Sequence, residues 1–119
     1  MKVNTFNINL TSADPERLRA FYRDVVGLDP HPVVSPAGFM AGGVGFVIDG
    51  HSATEGQAKD PTRLMFNFGV DDIHAEQARL EASGVRFVRP ATREPWGGFM
   101  ATFTDPDGNY AQLIQFVAR

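Results

Sequence analysis

The chain has 119 residues, 43% of them hydrophobic and 21% charged, with a formal net charge of −3 and no cysteine. That length makes one domain, or two small halves sharing a core, and buries roughly two-thirds of the unfolded surface. The acidic balance argues against a nucleic-acid partner, which favours a basic face; the lack of cysteine excludes disulfides, thiolate metal sites and cysteine nucleophiles.

The N-terminal MKVNTFNINL lacks the apolar core of a signal peptide, and no later run is long enough to span a membrane. A soluble, cytoplasmic protein without a membrane partner is expected. Within TFNINL, Phe6, Ile8 and Leu10 alternate with Asn7 and Asn9, the pattern of a half-buried strand. A helix follows in SADPERLRAFYRDVVGL. Asp14 is a good N-cap, with Pro15 at the first helical position. Leu18, Phe21, Tyr22 and Val25 recur at helical spacing, and Gly27 ends the helix. Three apolar segments come next, at about 33–34, 38–41 and 44–48. GGVGF, between the last two, reads as a hairpin and not as a phosphate loop, because no Lys-Ser/Thr pair or helix follows it.

The second half repeats this grammar. RLMFNFGV sets Leu64, Phe66 and Phe68 against Met65 and Asn67. DDIHAEQARLEASGV offers Asp72 as cap, Ile73 and Leu80 as a thin apolar stripe, and Gly84 as stop. Apolar segments follow at 85–89, 98–104 and 109–117. The four residues GFMA occur twice, at 38–41 and 98–101, each time in the second of the three segments. Asn9 matches Asn67, Asp14 matches Asp72, and Gly27 matches Gly84 at a nearly constant offset. The chain therefore reads as a duplicated β-α-β-β-β unit. The expected fold is α+β: two paired modules in one domain over 1–119, half-modules 1–50 and 62–119, helices on the outer sheet faces and curved sheets forming a cup. The loops HPVVSPAG, DGHSATEGQAKDPT and RPATREPWGG carry most of the proline and glycine, and the middle one is the plausible linker.

Three stretches resemble the vicinal oxygen chelate superfamily, which includes glyoxalase, the bleomycin resistance protein and extradiol dioxygenases. DPERLRAFYRDVVGL resembles its first helix, GVDDIHAEQARLEASGVRF its second, and FTDPDGNYAQLIQF its closing hairpin. In the last, Asp105–Asn109 is turn chemistry at a fixed distance before a strand. It is too short, and too poor in acids, for a calcium loop.

The resemblance implies a divalent ion in the cup of metal-using relatives, held by His, Gln or Glu. Carried over position by position, the first-strand ligand falls on Asn7, its counterpart on Met65 and the closing-strand glutamate on Gln112, while Phe46–Ile48 offers no acid. Two neutral amides and a thioether are poor ligands for a hard cation. His31 and His51 fall in loops and His74 in the first turn of a helix. No metal and no cofactor are therefore expected.

Asn7, Asn9, Asn67 and Gln112 instead read as amides that orient a ligand in a concave pocket. Met65 lies among them. Trp96, the sole tryptophan, together with Phe39, Phe99 and Tyr110, lies near the strand rims. Flat aromatics there suit a planar ligand. The expected ligand contacts are Asn7, Asn9, Met65, Asn67, Trp96, Phe99, Tyr110 and Gln112. The expected function is metal-free binding of a small apolar or aromatic molecule, by a protein that the resemblance makes a homodimer. The alternative is an enzyme of the same superfamily, a lyase, isomerase or dioxygenase, with an atypical divalent-metal site. No catalytic residue is legible, and the sequence leaves enzyme or binder open.

Overall fold

A computed structural model of the chain describes residues 1–116. Val117, the end of the expected closing strand, lies outside the described residues, as do Ala118 and Arg119. The chain divides into two compact units that meet in sequence at Gly56 and Gln57, within the DGHSATEGQAKDPT loop.

The first unit runs β1 (Asn7–Ser12), α1 (Pro15–Ala20), β2 (Asp29–Pro30), β3 (Gly38–Ala41) and β4 (Val44–Gly50). The second runs β5 (Phe66–Gly69), α2 (Ile73–Ala82), β6 (Phe87–Arg93), β7 (Phe99–Thr104) and β8 (Tyr110–Gln115). Each unit has one four-stranded mixed sheet, ordered β1-β4-β3-β2 and β5-β8-β7-β6. In both, the first strand pairs parallel with the last and the remaining ladders are antiparallel. The fold class is α+β, and the β-α-β-β-β order repeats with one topology.

Local chemistry starts and stops the helices at equivalent places. The Asp14 carboxylate accepts the Arg17 N–H at 3.2 Å, and the Asp72 carboxylate accepts the Ala75 N–H at 3.1 Å. Gly27 (φ 86°) and Gly84 (φ 88°) end the two helical segments in the left-handed region, where a side chain is strained. After Ala20 the first helix widens into a π-helical segment, Phe21–Val26, whose end is closed by the Tyr22 carbonyl accepting both the Gly27 and Leu28 N–H groups.

Strand alternation sorts the sheets into a helix side and an open side. In the first unit Leu18 and Tyr22 pack on Phe39, Phe46 and Ile48, all buried, with the Tyr22 and Phe46 rings 5.0 Å apart. In the second, Ile73 and Leu80 cover Phe66, Ala101, Phe103, Ala111 and Leu113. The buried Gln115 side chain fixes α2 to the sheet by accepting the Ile73 N–H at 2.9 Å.

Four expectations are corrected. No strand forms at 33–34. Val33 and Val34 lie in a turn, where both N–H groups donate to His31 Nδ1 (3.0 and 3.3 Å), and the short strand is Asp29–Pro30. Pro32 and Pro36 flank the turn and cannot donate to a ladder. Second, β1 begins at Asn7, so Phe6 is 65% exposed and is not a core residue. Third, β5 begins at Phe66. Leu64 and Met65 precede it, and Leu64 is exposed. Fourth, β6 continues to Arg93, through residues expected to be loop. Pro90 is tolerated because β6 is an edge strand with a ladder on one side only, and its register shifts on both sides of Arg89.

Candidate functional site

The duplicated GFMA segment shows how the open faces are built. Phe39 and Phe99 lie on the helix side of β3 and β7. Met40 and Met100 lie on the open side, at equivalent positions of the two sheets.

On the first sheet, Asn7 and Asn9 stand beside Gly45 and Val47 of β4, on the side away from α1. Both asparagines are exposed. The Asn7 side-chain oxygen lies over Gly45, in space that a Cβ there would occupy. Met40, the register neighbour of Gly45 on β3, shares this side.

The second sheet's open face is more fully equipped. Asn67 of β5, Gln112 of β8 and Thr102 of β7 are register partners and form one row across three strands. Gln112 Nε2 donates to Thr102 Oγ1 at 3.0 Å. Thr102 is only 6% exposed. Arg89 of β6 pairs with Thr102 in register, and its guanidinium donates to Glu94, which holds it even further above the usual arginine range. The row between Asn67 and Thr102 therefore carries amide and hydroxyl groups with no net charge.

Tyr110 and Thr104 are register partners on the same side, one pleat beyond the row. In the other direction come Met100 and Ile114. The alternation, carried one residue past β8, puts Phe116 beyond them. Trp96 meets it there, with ring centroids 6.0 Å apart and planes at 44°. The turn holding Trp96 is closed by Gly97 N–H to Glu94 O (2.9 Å) and Glu94 N–H to Gly98 O (2.8 Å). Gly98 is required beneath the indole, since a Cβ there would collide with the Trp96 ring and the Gln115 carbonyl. Trp96 is 49% exposed and Phe116 69% exposed, a pair of aromatics left facing outward.

Of the expected ligand contacts, the second sheet thus brings Asn67, Tyr110, Gln112 and Trp96 to one side. Met65 sits one residue before β5 and is exposed. Asn7 and Asn9 belong to the other sheet. Phe99 is not with Gln112: it stands on the helix side, edge-on to the His74 ring at 5.1 Å. Thr102, Met100, Ile114 and Phe116 share the open side but were not among the expected contacts. The alternation in FMATFT was the signal for Met100 and Thr102, once Phe99 and Phe103 are assigned to the core.

The groups at the metal positions do not fit a hard divalent cation. Asn7 and Gln112 offer neutral amides, Gln112 with its nitrogen already donating to Thr102, and Met65 offers a thioether. His31 Nδ1 and His51 Nδ1 each accept backbone N–H bonds from their own turns. Among the described residues, no three His, Cys, Asp or Glu side chains are grouped to hold an ion. No helix is long and apolar enough to cross a membrane.

Known proteins place this architecture. Residues 4–113 match the model of the Glyoxalase/Bleomycin resistance protein/Dioxygenase superfamily. Among solved structures, TnmS3, an antibiotic binding protein from Streptomyces sp. CB03234, is similar at 27% identity and a TM-score of 0.71, over 96% of both chains. Lactoylglutathione lyase from Agrobacterium tumefaciens is similar at 23% identity and a TM-score of 0.71, over 96% of this chain and 94% of that one. A superfamily member from Sphaerobacter thermophilus DSM 20745 reaches a TM-score of 0.75 at 19% identity, over 97% of this chain and 98% of that one. The last two likenesses show the fold alone. No curated protein matches the chain in sequence. On the match over residues 4–113, this chain belongs to the Glyoxalase/Bleomycin resistance protein/Dioxygenase superfamily.

Proposed function

We propose that this protein binds a small, apolar or aromatic molecule on the open side of its second sheet, without a metal. The carrying observation is the pairing on one face of an uncharged polar row, Asn67–Gln112–Thr102, with the outward-facing Trp96 and Phe116 rings. Aromatic faces supply contact area for a flat ligand, and the amides supply direction. The likeness to an antibiotic binding protein supports a binding role. The donor set at the metal positions supports a role that does not use an ion.

A homodimer, a cytoplasmic location, and half-modules 1–50 and 62–119 within one domain are parts of the same proposal. Sedimentation checks the first.

The sole tryptophan gives a direct test. Bleomycin and a panel of planar aromatic compounds are titrated while Trp96 emission is followed, with and without a chelator. Saturable changes that survive the chelator are expected. Binding that disappears with the chelator would favour the enzyme with an atypical metal site, and no binding across the panel would overturn the proposal.

A further inference from the structure

We infer that Thr102 is a positioning residue that turns the Gln112 amide so that its oxygen faces the ligand site, which makes the site selective for ligands carrying a hydrogen-bond donor. This rests on the binding role proposed above.

An amide presents a donor end and an acceptor end, and an unconstrained glutamine can offer either. Here the nitrogen end is taken: Nε2 donates to Thr102 Oγ1 at 3.0 Å. The two residues face each other across the β7–β8 ladder, so the partner is set by strand register and not by a flexible loop. Thr102 is 6% exposed, so water competes poorly for its hydroxyl. The Gln112 oxygen has no partner among the described residues. Arg89, the charged group next along the row, donates to Glu94. On the other flank the Asn67 side chain also has no hydrogen-bond partner among the described residues. An acceptor left open on the face that carries Tyr110 one pleat away, and Trp96 and Phe116 beyond Ile114, favours a ligand that brings an O–H or N–H group to it. A ligand offering only an ether or carbonyl there leaves that oxygen unmatched.

Two measurements test this, one without ligand. In the 15N-labelled protein, one Gln112 Nε2 proton is expected to exchange slowly with solvent. Thr102→Val should abolish that protection and Thr102→Ser should keep it, with Gln112→Ala identifying the signal. Protection unchanged in Thr102→Val would overturn the positioning role.

The second measurement compares 2-naphthol with 2-methoxynaphthalene by NMR titration of the protein. The wild type is expected to favour the naphthol by about three- to tenfold, the range of one uncharged hydrogen bond. Thr102→Val should erase the preference and Thr102→Ser should retain it. Equal affinities, a preference for the ether, or a preference that survives Thr102→Val would overturn the inference while leaving the binding role standing. Failure of both probes to bind would count against the binding role, and the selectivity inference would fall with it. The amide exchange experiment would still report separately on the Thr102–Gln112 bond.

Discussion

Gln112 lies between Asn67 and Thr102 at the middle of the second sheet, and its environment holds a neutral amide at the position where the resemblance to metal-using relatives leads one to expect an acid. An amide bonded on one side to a buried hydroxyl is oriented without any charge to neutralise. Gln112→Ala is therefore expected to weaken binding of the best compound in the aromatic panel by about 1–3 kcal/mol, with the melting temperature unchanged; unchanged affinity in calorimetry would remove Gln112 from the site. Phe99 makes the contrast. It is half-buried against His74 on the helix side, so Phe99→Ala should cost stability, about 2 kcal/mol, somewhat less than for a wholly buried phenylalanine. Affinity for the panel compounds should stay as it was, measured on protein still folded at the assay temperature. Neither the Phe99 nor the Thr102 placement follows from residue type. Both follow from register, and the fixed length of the Asp105–Asn109 turn is what makes Thr104 face Tyr110 and Thr102 face Gln112.

At the scale of elements, the helices were the most legible part of the chain. A capping aspartate, a periodic stripe and a stopping glycine are local signals, and all three appear twice. Asp14→Ala and Asp72→Ala should each lower stability by about 1 kcal/mol in urea unfolding; no loss at either position would mean the cap bonds add nothing. The strands were read less well where the signal is not local. Asp and Pro are both poor strand formers, yet Asp29–Pro30 pairs with Phe39 and Met40 because the neighbouring strand supplies the ladder. Conversely, Val33 and Val34 look like strand residues but are drawn into a turn by the His31 ring.

For the whole molecule, duplication is legible in the sequence as two copies of one grammar, and the GFMA copies occupy equivalent strands. Family membership brings an expectation of metal that the donor set does not meet. Protein exposed to nickel, zinc, manganese or iron and then desalted should retain far less than one equivalent, with no rise in melting temperature. Gln112→Glu alone should behave the same way, because Asn7 and Met65 remain poor ligands. Stoichiometric retention by the wild type, with a matching thermal shift, would show that coordination chemistry here reaches beyond those positions.

The edge strand β6 has a consequence for how this protein survives at high concentration. A long, regular outer strand would invite a second chain to add to the sheet, the first step towards fibrous association. Here Pro90 has no N–H to offer, the Ala91 N–H is already taken by the Gln77 side chain at 2.7 Å, and the register slips twice. The exposed Val88 on the same strand would otherwise reward such an addition. Pro90→Val should accordingly leave the protein's secondary structure intact but raise light scattering during prolonged warming below the melting temperature, in proportion to protein concentration. Scattering no higher than the wild type's would show that the proline is not what keeps neighbouring chains apart.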